Sequence, residues 1–278
     1  MKTRILIVVF VCCLVVSAVW AGLIPANDKA KERGRADNAP VIEKIDDHWV
    51  LMPSGLERIV FIHRPKPREA PRARPDKPVK PPKPPKDVQC YELMAAKWKD
   101  LPADLTIDPE FSGLTDGDVV AAISAGATEW DSWTAAGLFG STQVVEDGSW
   151  DTATPDGRNE MVFADYDDPG VIAVTIIWGY FTGRPSNRRI IEFDILFDTD
   201  FNWGDAGETN ETELGDTTVM DLWNIATHEV GHGLGLSDLY ESTCTEVTMY
   251  GYSQNGETKK RTLDQADKTG IQELYGAP

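Results

Sequence analysis

The 278-residue sequence has almost no long apolar runs. The one exception extends from Ile5 to Trp20, follows two basic residues and is succeeded by small residues. It is shorter than the about 20 apolar residues that a membrane span needs, and its layout is typical of a secretory signal peptide. We therefore predict a signal peptide over residues 1–21, secretion of the mature chain and no stable membrane association; an uncleaved anchor is the alternative.

Cysteine is also scarce, with only four residues in the chain. Cys12 and Cys13 lie in the predicted signal peptide, which leaves Cys90 and Cys244 in the exported chain. Because export brings thiols into an oxidising compartment, these two residues are predicted to form a disulfide.

Basic residues are fewer than acidic residues, with 27 Lys and Arg against 45 Asp and Glu. The shortage is confined to one part of the chain: residues 1–87 carry a net charge of +7 and residues 88–278 a net charge of −25. So acidic a domain argues against nucleic acid or an anionic membrane as a partner. Its carboxylates suit calcium ions, although a solubilising acidic surface explains them equally well.

The part before residue 88 divides into two stretches after the signal peptide. Within residues 22–63, apolar and polar residues alternate around Pro53, Ser54 and Gly55, which predicts a short hairpin. Residues 64–87 are mostly Pro, Lys and Arg and are predicted to be an extended linker. The segment 22–87 as a whole is positively charged and opposes the acidic remainder, so we interpret it as an inhibitory propeptide, with the stretch 22–63 as the propeptide and residues 64–87 as its linker; a spacer is the alternative.

Residues 88–278 are predicted to form one folded domain, in the order helix, several strands, helix, loop and helix. Hydrophobic periodicity and capping residues place the elements as follows: a strand near 105–107, a helix over 116–133 capped by Thr115, strands at 161–166, 171–180 and 189–198, a helix over 218–234, and a last helix from Thr262, with Gln265 in its capping box, to about Gly276. This order predicts an α+β fold with a twisted mixed sheet and three helices.

The central motif is "HEVGHGLGLSD" at residues 228–238. On a helix, the four-residue spacing of His228 and His232 stacks both imidazoles on one face, where they can bind a single metal ion. Glu229 is offset from that face and can act as a general base toward water that zinc activates. Histidine is so rare here that chance gives an H-E-x-x-H pattern in roughly one such sequence in a few hundred.

A catalytic zinc usually has a third protein ligand, and Asp238 is the predicted one. Gly235 can adopt a positive φ angle and end the helix sharply, so that the chain returns Asp238 toward the same ion. A downstream glutamate, Glu246 or Glu257, is the alternative third ligand.

This motif, followed by "TMYGYS", resembles the metzincin clan of zinc endopeptidases and, within it, the matrixins. The resemblance implies a metzincin-like fold and a tight turn whose methionine, here Met249, supports the metal site as an apolar floor. Three further segments resemble matrixin strands: "KWKDLPADLTI" the first strand, "VIAVTIIWGYF" the edge strand that binds extended substrate, and "FDTDFNW" the strand end before the active-site helix. The resemblance covers about residues 90–278.

The sequence departs from the matrixin pattern in several places. Asp238 stands where most matrixins have histidine and resembles the snapalysin type. The histidines of the matrixin structural zinc are missing, so a second zinc of that kind is not expected. Gly251 stands where some metzincins place a tyrosine. The segment "DVQCYEL" around Cys90 differs from the P-R-C-G-like motif of prosegments that block zinc through cysteine, so a disulfide is favoured over such a switch.

The function expected from the motif and the resemblance is that of a secreted, monomeric zinc metalloendopeptidase with one catalytic Zn²⁺ and protein or peptide substrates. The alternative is a non-catalytic secreted binding module that retains the fold, but a pure binder does not need Glu229. Calcium is a further candidate cofactor, for which we consider a group of acidic residues: Asp198, Asp200, Asp205 and Glu208.

Overall fold

A computed structural model describes residues 39–46, 48–67, 89–207 and 214–278. The predicted signal peptide and most of the predicted linker lie outside this range. The described strands are β1 (Val41–Ile42), β2 (Trp49–Leu51), β3 (Glu57–Pro65), β4 (Ala103–Ile107), β5 (Phe139–Val144), β6 (Glu160–Tyr166), β7 (Ala173–Tyr180), β8 (Arg189–Asp198), β9 (Trp203–Gly204), β10 (Met220–Asp221) and β11 (Tyr252–Ser253). The helices are α1 (Asp116–Asp131), α2 (Leu222–Gly233) and α3 (Gln265–Tyr275).

Most strands form one mixed sheet in the order β11-β3-β7-β8-β6-β4-β5. Strands β8, β6, β4 and β5 run parallel to one another, whereas β7 is antiparallel to both β8 and β3. Together with the three helices, this sheet confirms the predicted α+β fold. None of the described helices has the length and apolar character that a bilayer crossing requires.

The helix boundaries differ from the predicted ones where polar residues act as caps. Helix α2 begins at Leu222 rather than 218, because the Asp221 carboxylate accepts from Asn224 N at 2.8 Å. Helix α3 is capped by Asp264, whose capping-box partner is Asp267, so Thr262 and Gln265 do not have the predicted roles. A carboxylate at the N-cap satisfies backbone N–H groups that the first helical turn leaves free, and this outweighs the hydrophobic pattern in fixing where a helix begins.

The N-terminal segment, defined here as residues 39–46 and 48–67, belongs to the sheet. Strands β2 and β3 form a hairpin at the predicted place, and β3 extends to Pro65, into the first residues of the stretch predicted to be a linker. Strand β3 pairs with β7 along its length, from Glu57 opposite Gly179 to His63 opposite Ala173. The edge of β7, which the resemblance assigns to extended substrate, is thus paired with β3 in this structure.

Two apolar layers cover the faces of the sheet, and the alternation along the strands assigns side chains to them. On β7, Ala173 and Ile177 face the helices, whereas Val174, Ile176 and Trp178 face the opposite layer. Strand β3 follows the same alternation. Its residues Ile59 and Phe61 face the helix side, as does His63, which contacts α2. The N-terminal segment thus directs alternate side chains toward α2.

Candidate metal centre

Helix α2 and the loop after it bring the predicted metal ligands together. His228 and His232 lie on one face of α2, and the Nε2 atoms of both approach Asp238 Oδ1, at 3.2 Å and 3.4 Å. All three side chains are buried or nearly so. The structure therefore provides one compact group of two imidazoles and one carboxylate, as the spacing predicts.

Gly235 makes this return of the chain possible. It follows the last turn of α2 with a φ of +104°, a conformation that side chains rarely adopt. A Cβ at this position would also lie 2.8 Å from the Ala96 carbonyl oxygen. The glycine thus permits both the sharp end of the helix and the close approach of a neighbouring backbone, which directs Asp238 back toward the histidines.

The hydrogen bonds of the two imidazoles leave one nitrogen of each ring free. His228 Nδ1 lies 2.7 Å from the Thr248 carbonyl oxygen, and His232 Nδ1 lies 2.9 Å from that of Leu236. A carbonyl oxygen can only accept, so each Nδ1 donates and each neutral ring keeps a lone pair on Nε2. Within the described chain, neither Nε2 atom nor Asp238 Oδ1 has a hydrogen-bond partner.

This set of atoms fits a zinc ion. Three buried lone-pair atoms that converge without a hydrogen repel one another, and a cation between them removes the repulsion. Nitrogen from histidine and oxygen from a carboxylate are ligands that zinc accepts, and carbonyl oxygens on the other ring nitrogens are the usual orienting partners. His228, His232 and Asp238 are thus the candidate ligands.

The turn after the ligands lies beneath α2. Met249 is fully buried, and a side chain at Gly231 would collide with its Sδ atom and with the Trp130 ring. The Asp267 carboxylate accepts from Thr248 N at 2.8 Å and from Met249 N at 3.3 Å. Asp267 therefore fixes the turn that orients His228, although nothing in the local sequence pattern indicates this contact across 19 residues.

Glu229 lies beside the candidate ligands and is completely buried. Its Oε2 atom accepts from the Thr175 hydroxyl of β7 at 2.6 Å, and its Oε1 atom lies 2.8 Å from His63 Nδ1. Burial raises the pKa of Glu229 to about 7. A carboxylate with such a pKa is suited to take and return a proton near neutral pH.

Comparison with known proteins agrees with this geometry. Residues 180–276, which contain α2, the turn and α3, match the model of the matrixin family. We call residues 180–276 the matrixin-like region, because they are similar to that family.

Individual relatives show the same likeness. Stromelysin-1 of Rattus norvegicus is 33% identical over 117 residues, which cover 42% of this chain and 20% of the relative. Matrilysin of Homo sapiens is 35% identical over 83 residues, or 30% of this chain and 27% of the relative. Metalloendoproteinase 1 of Glycine max is 38% identical over 80 residues, or 29% and 24%. The chain thus spans between a fifth and just over a quarter of these curated relatives.

Next to the matrixin-like region, β3 occupies the cleft above the candidate metal ligands. The Phe61 ring stacks on the His232 ring, with centroids 4.0 Å apart, and the His63 ring lies 4.1 Å from that of His228. Strand β11, which follows Met249, pairs in parallel with the end of β3. An extended chain therefore already lies between β7 and β11. No sequence pattern indicates the contact between His63 and Glu229.

A disulfide joins Cys90 and Cys244, whose Cα atoms are 5.3 Å apart. This agrees with the predicted pairing and leaves no free Cys90 thiol in this state to act as a cysteine switch. The bond connects the first described residues after the linker to the loop between Asp238 and Met249. It therefore fixes the loop that follows the candidate ligands.

The acidic residues considered for calcium separate into different groups. Asp198 and Asp200 lie with Asp165 in a group that could hold a cation. Asp205 instead forms an ion pair with Arg261, and Glu208 lies outside the described residues. The four carboxylates considered for calcium therefore do not form one site. Another group was not anticipated, because it joins the loop before β6 to β8: Asp151, Asp156 and Glu192.

The alternative third ligands do not join the two histidines. Glu246 is exposed and lies 3.4 Å from Lys259 Nζ. Glu257 Oε1 lies 3.4 Å from the Ser253 hydroxyl. The compact group that includes both His228 and His232 has Asp238 as its third member. Asp238 also accepts from the Tyr240 hydroxyl at 3.0 Å, a contact that the sequence did not predict.

Proposed function

We propose that this chain is a secreted, zinc-dependent metalloendopeptidase with His228, His232 and Asp238 as zinc ligands and Glu229 as general base. The observation that carries the proposal is the convergence of three buried lone-pair atoms beside the buried carboxylate of Glu229. The matrixin-like match of residues 180–276 supports the same function. With Asp238 as the third ligand, the site would resemble the snapalysin type.

The chain's own residues account for substrate placement and proton transfer. An extended substrate lies along β7 in the place of β3 and forms main-chain hydrogen bonds with that strand. A bound zinc ion supplies Lewis-acid chemistry, which polarises the scissile carbonyl and acidifies water. Glu229 takes a proton from the attacking water and gives it to the leaving amine, while Thr175 holds the carboxylate in place. Met249 supports α2 from below.

The N-terminal segment is proposed to be an inhibitory propeptide. Strand β3 lies where an extended substrate would add to β7, and His63 forms a hydrogen bond with the general base. In the uncut chain, β3 therefore obstructs the access of a substrate to Glu229. Cleavage in residues 68–88 followed by departure of the segment would open the cleft.

The central test compares the parent chain with a Glu229→Gln variant. Both are folded as the full chain, cut in residues 68–88 and assayed on quenched peptides with and without a chelator. We expect equal zinc content, measured by mass spectrometry, and a loss of about 100-fold or more in kcat for the variant. An Asp238→Ala variant is expected to lose zinc. Equal cleavage by Glu229→Gln would refute the mechanism, and absence of any cleavage by zinc-loaded parent would favour a binding module.

A further inference from the structure

The strongest unused feature is the buried pocket that holds the His63 side chain. We call this the His63 pocket; the polar groups that contact the His63 ring are those of Glu229, Ser253 and Lys260, and the His228 ring lies on one side. His63 and Lys260 are almost completely excluded from solvent. A buried ammonium group next to a catalytic cleft needs a physical explanation, because such a charge is costly unless it is paired.

The contacts of His63 define its hydrogen positions. Nδ1 lies 2.8 Å from Glu229 Oε1, and Nε2 lies 3.1 Å from Ser253 Oγ and 3.5 Å from Lys260 Nζ. A carboxylate can only accept and an ammonium group can only donate, so Nδ1 carries the hydrogen and Nε2 carries the lone pair.

Lys260 directs one donor toward His63. Among the described residues, its Nζ atom contacts three acceptors: the carbonyl oxygens of Tyr250 and Tyr252, and His63 Nε2 as the third. If the N-terminal segment departs, that third donor loses its acceptor. A side chain that enters the pocket then gains binding energy if it brings an acceptor to the same depth, and loses energy if it is apolar.

The geometry of a strand paired with β7 places one side chain of an extended substrate in this pocket. Residues of β3 alternate between the two faces of the sheet, and Phe61 and His63 contact the candidate zinc ligands from the helix side. A substrate that replaces β3 on β7 has the same alternation, since its side chains have a period of two. The residue that takes the position of His63 enters the pocket beside Glu229.

We propose that the His63 pocket selects substrate residues that end in a hydrogen-bond acceptor, namely histidine or glutamine, and that Lys260 is the specificity-determining residue. Methionine, which has the length of glutamine without its acceptor, is disfavoured. This inference rests on the proposed peptidase function, because it concerns the substrate position adjacent to the general base. The Ser253 hydroxyl, whose Oγ atom lies 3.1 Å from His63 Nε2, is the second polar contact at this position.

The test uses peptides that copy residues 57–66 and carry histidine, glutamine or methionine at the position of His63. The protein is folded as the full chain and cut in residues 68–88, and the segment is removed by dilution. Binding is measured by fluorescence polarisation, and cleavage is measured in the same samples. We expect the histidine and glutamine peptides to bind about tenfold more tightly than the methionine peptide, as one buried hydrogen bond to a charged donor predicts.

Two variants of the pocket isolate the effect. Lys260→Met should abolish or reverse the preference for glutamine over methionine, whereas Ser253→Ala should reduce it. Lys259→Met is the matched control, because Lys259 is the neighbouring lysine and its Nζ atom contacts Glu246 outside the pocket. This control should retain the preference of the parent protein.

A second measurement needs no catalysis and uses the uncut full chain. His63→Gln and His63→Met are each made in the parent chain and in the Lys260→Met variant, and the thermal midpoints are compared in a double-mutant cycle. Where Lys260 is retained, the His63→Gln chain should have the higher midpoint and the His63→Met chain the lower one. The order should reverse in the Lys260→Met background.

The outcomes separate the two proposals. Equal affinity of the parent for the glutamine and methionine peptides, or an unchanged ratio in Lys260→Met, would overturn the assignment of Lys260. Cleavage without that selectivity would leave the peptidase function standing. Selective binding without any cleavage would refute the function and retain the selectivity of the pocket.

Discussion

At the residue scale, the stretch from His228 to His232 combines chemical and steric requirements. The two histidines and Glu229 supply the candidate chemistry, while Gly231 allows Met249 and Trp130 to pack against the helix. A substitution at Gly231 would therefore displace the turn that carries Thr248, the hydrogen-bond partner of His228. The candidate site thus depends on the absence of a side chain as much as on the residues that bind.

His63 is the residue through which the N-terminal segment contacts the general base. A His63→Ala change in the uncut chain removes the hydrogen bond with Glu229 and leaves Lys260 without one acceptor. We expect a lower thermal midpoint and about tenfold more residual peptidase activity, because the segment is held less tightly. The measurement is the initial rate on a quenched peptide.

His48→Ala provides the control for that prediction. His48 is an exposed histidine of the same segment, and its Nδ1 atom lies 3.3 Å from the Val60 carbonyl oxygen, away from Glu229. Residual activity should stay at the level of the parent chain. If both variants behaved alike, the contact between His63 and Glu229 would not be what restrains the uncut protein.

Local spacing was enough to predict the cluster of candidate ligands. The four-residue interval placed the two imidazoles together, and Gly235 indicated where the chain turns back toward Asp238. The participants that were missed include His63, Lys260 and Asp267. Each reaches the site from a separate element, at a sequence distance of 166 residues in the contact between His63 and Glu229. Such contacts depend on tertiary packing, which periodicity does not encode.

At the element scale, α3 acts as the support for the turn beneath α2. The Asp267 carboxylate accepts from the backbone N–H groups of Thr248, Met249 and Asp264. Burial raises the pKa of Asp267 to about 6, but these donors oppose that effect and favour the charged form. A residue of one helix therefore determines the geometry of a ligand on another.

An Asp267→Ala variant should be less stable and should bind zinc more weakly. Removing the carboxylate leaves buried N–H groups without acceptors, which should lower the free energy of unfolding by on the order of 3 kcal/mol. Loss of the turn geometry should weaken zinc binding by about tenfold or more. Urea unfolding and zinc titration measure the two effects.

Glu273→Ala on the same helix is the comparison for that experiment. Glu273 accepts from the Tyr91 hydroxyl at 2.9 Å, in an exposed contact near the end of the helix. It should change zinc affinity little. Normal zinc affinity in Asp267→Ala would show that the turn keeps its shape without the carboxylate.

The strands show a different limit of sequence reasoning. The pattern of β7 predicted a strand correctly, but its residues are buried on both faces whether or not a further strand pairs with its edge. Side-chain hydrophobicity indicates which faces of a sheet are buried. It does not indicate which strand pairs with the backbone N–H and C=O groups at an edge. The hairpin of the N-terminal segment was predicted, whereas its partner strand was not.

At the scale of the whole molecule, acidic residues impose a pH dependence on stability. Burial raises the pKa of Asp194 to about 9 and that of Glu192 to about 7. The folded state therefore holds protons that the unfolded state releases at lower pH. The stabilisation is fully present below the ordinary carboxyl pKa and is lost as pH rises through the raised values.

We therefore expect the thermal midpoint to fall as pH increases from about 5 to about 9. An Asp194→Asn variant should show a flatter dependence, because the amide cannot ionise. Glu146→Gln, which changes a glutamate of the loop after β5, should retain the slope of the parent. A midpoint that rose across this interval would contradict the assigned burial effect.

The disulfide leads to a prediction about the stability of the whole domain. Cys90 and Cys244 are separated by 154 residues, and a loop of this length gives a stabilisation of about 5 kcal/mol in the loop-entropy treatment. A Cys90→Ser, Cys244→Ser double variant should lose stability of that order in urea unfolding. Mild reduction should not increase peptidase activity; an increase would point to a cysteine switch instead.

The covalent connection between β3 and the rest of the chain has a consequence for how the protein would respond to dilution. While the chain is uncut, the segment competes with substrate for the cleft as an attached ligand, at an effective concentration on the order of millimolar. After a cut in residues 68–88, the same segment competes only at its bulk concentration. At a high concentration of cut protein, the segment would thus stay bound and inhibit the cleft. Dilution would let it dissociate and so complete the activation.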